Sequence, residues 1–269
     1  MTDYFIGVHA RELERLQEQN AAWLPETHAL WDAAGFGPGQ HLADLGSGPG
    51  FSTFDLARWV GPSGHVTALD KASPYLDFLR AEARRNRLDN VLTVEADITV
   101  VDTIQGPFDG AFCRFFLAFL IHDLDRTLAT IHRSLRRGGV FAAMEYLTLA
   151  PTTCSPPSRG FDAHTRAWID YYRANGGDTS VGACLPQKLM RAGFEVTHVS
   201  CAGGVARPGH RWWNWWGRLI ADFGDTLKAE GFMTVNELEV LRRDWTEASR
   251  QEQAFIHTPL LLCVVGRKT

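Results

Sequence analysis

Asp44 stands two residues ahead of three alternating glycines, Gly46, Gly48 and Gly50, in the stretch LADLGSGPGF. A glycine turn after an apolar run lets the backbone approach a ligand closely, with no Cβ in the way. A P-loop needs Lys and then Ser or Thr after its last glycine, and Phe51 follows Gly50, so that chemistry is excluded. The dinucleotide fingerprint needs a third glycine three residues beyond the second. Counting from Gly46 and Gly48, that position is Phe51, which would crowd the close helix–strand packing the third glycine permits. What remains is the pattern acidic-x-Gly-x-Gly-x-Gly.

Other segments bear on the choice. HVTALD places Asp70 at the end of a second apolar run, where a carboxylate can accept both hydroxyls of a ribose, a feature dinucleotide enzymes share. EADI follows a third run, FDGAFCRF ends a fourth, and SLRRGGVFAAMEY leads into a fifth. In order and spacing these segments, spanning residues 41–146, resemble the class I S-adenosylmethionine (SAM) methyltransferases, in the small-molecule branch that includes UbiE-like and natural-product enzymes. Arg137 stands where that family usually has proline, before Gly138-Gly139. The resemblance implies SAM as cofactor and S-adenosylhomocysteine as its product. It puts Asp44, Gly46, Ser47 and Gly48 at the aminoacyl and ribose parts of the cofactor, and Asp70 with Lys71 at the ribose. It puts Asp97 at the adenine amino group, Ile98 on the ring, and Arg114 with Phe115 at the methyl-donor end.

The elements that must position these residues read as alternating strands and helices. Strand-like runs occur at 41–45, 65–69, 91–94, 108–113, 139–146, 194–200 and 258–265, with helical segments at 51–60, 73–86 and 122–136. Such alternation gives βαβ units and right-handed crossovers. The expected fold is therefore α/β, a doubly wound, seven-stranded, mostly parallel Rossmann-like sheet with helical cap insertions. Its ligand crevice should lie at the carboxyl ends of the strands. The expected organisation is an N-terminal helical lid over 1–35, a SAM-binding core over 36–150 and a cap insertion over 151–192. Sheet strands over 193–202 and 255–269 then flank a Trp-rich helical insertion over 203–254. Pro25 predicts that the lid holds two helices, 10–22 and 26–34.

The lid helix carries Arg15 and Gln19 four residues apart, on one face. That face, with Tyr4, either closes over the cofactor or is a solvated stripe. For the chemistry, a general base is needed only if the methyl acceptor carries a proton that must leave. Glu145 and Tyr146 follow the fifth run, and His122 opens the helix after the fourth. Glu145 and His122 are the candidate catalytic residues; each has a plainer reading, as a hydrogen-bonded carboxylate and as a capping or solvent-facing imidazole. No histidine or cysteine cluster has ligand spacing, so no metal is expected.

Four of the nine tryptophans fall in RWWNWW, residues 211–216. On a helix Trp212, Trp215, Trp216 and Leu219 share a face. That face is either core, or a wall in which Trp212 and Trp216 join Tyr146, Trp168 and Tyr171 around an apolar or aromatic substrate.

The 269 residues carry a net charge of -4, with a pI of about 6.2. Such a chain has no overall field to attract nucleic acid or an anionic membrane, and no apolar stretch reaches the roughly 18 residues of a membrane span. Five scattered cysteines fit a reducing compartment, so a cytoplasmic location is expected. The expected partner is a small-molecule substrate, with a homodimer through the insertions. The expected activity is methyl transfer to oxygen, nitrogen or carbon of a small apolar or aromatic metabolite by in-line displacement. Two rivals keep the cofactor site: a cyclase or isomerase of specialised metabolism, and a non-catalytic SAM-binding partner subunit.

Overall fold

The computed structural model describes residues 10–150 and 152–269. Helix α1 (Ala10–Ala34) leads into β1 (His41–Leu45), α2 (Phe51–Val60), β2 (His65–Asp70), α3 (Ser73–Arg85) and β3 (Val91–Glu95). Next come β4 (Phe108–Arg114), α4 (Leu124–Ser134), β5 (Leu135–Thr148), β6 (Thr153–Ser155), α5 (Arg159–Ala174) and α6 (Leu185–Arg191). The chain ends with β7 (Phe194–Ala202), β8 (Val205–Ala206), α7 (Arg211–Ala229), α8 (Val235–Ala248), β9 (Phe255–His257) and β10 (Leu260–Lys268).

Seven strands form one sheet in the order β3-β2-β1-β4-β5-β10-β7. β1 pairs in parallel with both β2 and β4, and β10 alone runs antiparallel to its neighbours. The strand order reverses between β1 and β4, which opens a crevice at their carboxyl ends. The central strands are buried on both faces and read accordingly as near-continuous apolar runs. β6, β9 and β8 form a separate three-stranded sheet.

α1 is a single 25-residue helix with Pro25 inside it, not the two helices that Pro25 predicts. A proline in a helix interior removes one intrahelical bond and crowds the preceding turn. Here α7 bridges the fault. Arg211 Nε donates to the Ala22 carbonyl at 2.6 Å, and its guanidinium also pairs with Glu26. Trp23 and Trp31 then bury one continuous face of α1 across the proline.

The segment 151–192 divides between two layers. α5 packs with α7 and α8 into a helical cap, whereas α6 lies against β7 and β10 and belongs to the sheet layers. Ser158 caps α5 and a Thr234–Glu237 capping box opens α8. No helix among the described residues is long and apolar enough to cross a membrane.

Candidate active site

The loop after β1 is fixed from three sides. The Gly46 and Ser47 N–H groups donate to the Leu69 carbonyl at 2.8 and 3.0 Å. Asp70, at the end of β2, accepts the Gly48 N–H at 2.8 Å on Oδ2 and the Ala72 N–H at 2.9 Å on Oδ1. Against Gly46 itself lies a ring: a Cβ there would meet Phe116 Cδ2 at 2.2 Å, and the backbone takes φ +66°. Only glycine combines that conformation with that contact.

Asp44 is buried behind the loop and accepts the Thr53 hydroxyl at 2.7 Å. Burial pushes its carboxyl up to about 7, against the lowering effects of Thr53 and the Arg114 charge. Burial likewise raises Asp70, although its backbone donors and Lys71 oppose the shift. Asp97 accepts the Thr99 N–H at 2.9 Å and the Thr99 hydroxyl at 2.6 Å on Oδ1. Partial burial raises its carboxyl, but the Thr99 bonds and the Lys71 charge outweigh it and leave Asp97 below its ordinary value. Arg114, at the end of β4, ties three elements together, donating to Asn20 of α1, to Thr27 of α1 and to Ser52 of α2.

These groups line one cavity of about 990 Å³. Arg15, Gln19, Asp44, Gly46, Ser47 and Gly48 border it, as do Asp70, Lys71, Asp97, Ile98 and Arg114. Its other end is aromatic, walled by Phe115, Phe116, Phe119, Tyr146, Trp168 and Tyr172. The Phe119 and Tyr172 rings stack at 5.1 Å, and Phe115 meets Tyr146 at 5.1 Å. Tyr146 is hydrogen-bonded to Tyr172, and burial holds its phenol above the ordinary range despite the nearby Arg15 charge. It therefore stays a neutral hydroxyl and is no base.

Five sequence-derived site residues lie elsewhere. Glu145 is fully buried and outside the cavity lining; its Oε1 accepts the N–H groups of Phe116 and Leu117 at 2.7 and 2.8 Å. A carboxylate turned into the protein in this way cannot reach a bound acceptor, which removes it as general base. His122 is exposed beside the Gly176 turn and does not line the cavity. Tyr171 packs on Phe223 and Phe232 at 5.0 and 5.4 Å, so the cavity takes the next residue, Tyr172, instead. Trp212 packs on Trp23 at 5.1 Å, and Trp216 on Phe161 at 5.6 Å. Both tryptophans are core between α1, α5 and α7. Tyr4 lies outside the described residues.

Asn20, Ser52, Phe116, Phe119, Tyr172 and Asn175 line the cavity without having been marked in the sequence. Tyr172 follows Trp168 by four residues and so shares its helix face, but Tyr171 at three residues does too, and the spacing alone does not choose between them. Asn20 and Ser52 had no signal in the sequence; only the tertiary position of Arg114 brings them together.

The fit to a cationic nucleoside ligand rests on this donor set. Acceptors at the ends of β1 and β2, a carboxylate after β3 and open space beside the backbone of Gly48, where no Cβ stands, suit an adenosine-bearing sulfonium. Ser47 Oγ is buried on the wall and has no hydrogen-bond partner among the described residues. Fold and cavity together define a Rossmann-like α/β protein whose cavity, at the strand ends, is polar at one end and aromatic at the other.

Comparison with known proteins makes the class specific. A family described as Methyltransferase domain matches residues 42–139. The chain is 31% identical over 199 residues to the ubiquinone/menaquinone biosynthesis C-methyltransferase UbiE of Vibrio campbellii, covering 66% of this chain and 75% of that protein. Phosphoethanolamine N-methyltransferase 2 of Haemonchus contortus, solved with S-adenosyl-L-methionine, superposes with a TM-score of 0.56 at 15% identity, covering 91% of this chain and 52% of the other. The [4+2]-cyclase SpnF superposes at 0.56 and 18% identity, covering 91% and 80%, a likeness of fold. The chain belongs to the class I SAM-dependent methyltransferase family. It is a SAM-dependent methyltransferase.

Proposed function

We propose that the enzyme methylates a small, largely apolar aromatic metabolite held between the glycine loop and the Phe119–Tyr146–Trp168–Tyr172 wall. One observation carries the reading: the cofactor loop and the aromatic wall border a single cavity of about 990 Å³. Ligand pockets run from about 300 to 1,000 Å³, so this cavity lies at the upper end of that range. The UbiE relative is named for methylation at carbon in quinone biosynthesis, and an aromatic acceptor agrees with that name.

In this reading Asp44, Ser47 and Gly48 hold the aminoacyl and ribose parts of the cofactor. Asp70 and Lys71 hold the ribose, while Asp97 and Ile98 hold the adenine. Arg15, Gln19, Arg114 and Phe115 close over the donor end. Bound SAM supplies an electrophilic methyl on sulfur, and transfer is an in-line displacement. The protein's part is to orient the acceptor and exclude water. The aromatic wall offers hydroxyls and amides, but no carboxylate or histidine among the described residues. Positioning, rather than proton abstraction by a side chain, is then the main source of rate.

The test begins with isothermal titration using S-adenosylhomocysteine, with NAD as counter-ligand. Binding of the first and not the second is expected; the reverse would overturn the cofactor site. Phenols, arylamines and electron-rich arenes are then assayed with methyl-labelled SAM. Label in an aromatic product supports the reading, and the product identifies the methylated atom. A ring-closed product without label would mark a cyclase instead.

A further inference from the structure

Glu145 sits where the sequence placed a base, yet it does a different job. β4 ends at Arg114, and the next residue, Phe115, takes a left-handed backbone with φ +54°. Phe116 returns to the right-handed region at φ -117°, ψ -48°. Successive N–H groups across such a reversal converge into a concavity that suits an anion. Here the acceptor is supplied internally: Glu145 Oε1 receives both the Phe116 and the Leu117 N–H. Cys113 Sγ approaches the same oxygen at 3.8 Å. The other oxygen, Oε2, is buried with no hydrogen-bond partner among the described residues.

The turn determines where the Phe116 side chain goes. Its Cγ, Cδ2 and Cε2 atoms occupy the space beside the Gly46 Cα that a side chain would need. The opposite side of that loop is fixed by the bonds to Leu69 O. Phe116 also lines the cavity. A continuous chain of contacts therefore runs from a buried carboxylate, through two backbone amides and one ring, to the glycine loop.

We propose that Glu145 is a positioning residue: it fixes the 115–117 turn so that Phe116 clamps the glycine loop in its ligand-binding form. The proposal rests on the reading that this loop holds the cofactor. It assigns Glu145 to the cofactor side of the reaction and takes it out of proton transfer.

The test uses the full chain and S-adenosylhomocysteine as the probe. Affinity is read by titration calorimetry, and amide hydrogen exchange is followed over 45–51 and 115–120. Glu145→Gln keeps an oxygen to accept both N–H groups, so affinity and exchange stay close to wild type. Glu145→Ala leaves those amides unpaired; exchange rises in both segments and affinity falls about tenfold, as the loss of two hydrogen bonds predicts. Phe116→Leu keeps the turn amides protected, speeds exchange over 45–51 and weakens binding; it reads the clamp even if the alanine variant does not fold. Placing Glu145→Ala on a Phe116→Ala background adds no further loss of affinity, because the link is already cut. The proposal is overturned if affinity is unchanged in Phe116→Leu, or if exchange rises only over 115–120 in Glu145→Ala. It is also overturned if Glu145→Gln weakens binding as much as alanine does. Failure of the wild type itself to bind the probe would sink the cofactor-site reading, and the clamp with it.

Discussion

Arg114 and Asn20 meet at 2.6 Å, joining the end of β4 to the cavity face of α1. The same guanidinium reaches Thr27 at 2.7 Å and Ser52 at 2.9 Å. Burial lowers its pKa to about 10 against the pull of Asp44, Asp55 and Glu26, so it remains a cation at neutral pH. One side chain thus anchors α1 beside the glycine loop.

Replacing Arg114 with Met should cost about 3 kcal/mol, since it strips partners from several buried polar groups and removes the positive charge that acts on Asp44. Urea unfolding measures this directly. Arg114→Lys restores the charge but not the planar fork that spans Asn20, Thr27 and Ser52, so it should recover less than half of the loss. Full recovery by lysine would show that charge alone matters here.

Asp70 combines two jobs that a neutral amide cannot. Both of its oxygens accept backbone N–H groups, from Gly48 and Ala72, while the same carboxylate faces the cavity. Asp70→Asn turns one acceptor into a donor and sets it against an N–H group. S-adenosylhomocysteine affinity should fall by about ten- to a hundredfold, equivalent to losing one charged hydrogen bond. Calorimetry with unchanged affinity would exclude Asp70 from ligand binding.

Two buried carboxyls should make the protein less stable as pH rises. Burial pushes Glu145 up to about 7 from its ordinary 4.5, and Asp44 up to about 7 from 3.8. The folded state therefore keeps protons that the unfolded chain releases near pH 4. The stabilisation is full below that point and is lost as pH climbs through about 7, by about 3 kcal/mol for Glu145 and about 4 kcal/mol for Asp44. Glu145→Gln has no proton to lose. Its stability relative to wild type should therefore rise between pH 5 and 8, read as a widening difference in melting temperature. A difference that stays flat across that range would mean Glu145 titrates at its ordinary value.

The sequence brought out the residues at the polar end of the cavity because that end is local. Asp44 and the glycines lie on one strand–turn–helix passage, Asp70 terminates β2 and Asp97 follows the end of β3 by two residues, so position along the chain gives position in the crevice. The α/β alternation was legible for the same reason. The aromatic end depends on tertiary packing. Tyr171 and Tyr172 both follow Trp168 at helical spacing, and only the docking of α5 on Phe223 and Phe232 turns the first inward to the cap and the second to the cavity. Glu145 looked catalytic by its place at the end of β5. Its Oε1 is taken by a turn whose left-handed residue, Phe115, has no local sequence signature. Pro25 misled in the opposite direction, because the Arg211 contact that tolerates it comes from a helix nearly 190 residues away in sequence.

The tryptophans give a clean separation between core and pocket. Trp212 and Trp216 are buried among Trp23, Trp215, Phe161 and His164, away from the cavity. Alanine at either should cost about 3–5 kcal/mol, the usual penalty for emptying a core site of this size. In the fraction that stays folded, S-adenosylhomocysteine affinity should be unchanged. Trp168 borders the cavity and also touches Phe223 at 4.5 Å, so Trp168→Phe keeps most of its packing while reshaping the wall. Naphthol, added as an aromatic probe to the cofactor-product complex, should quench tryptophan fluorescence in wild type. It should do so more weakly in Trp168→Phe and with altered affinity in Tyr172→Phe. Equal quenching in all three, or quenching lost only when Trp212 or Trp216 is replaced, would move the acceptor site from the Tyr146–Tyr172 wall into the α1–α7 interface.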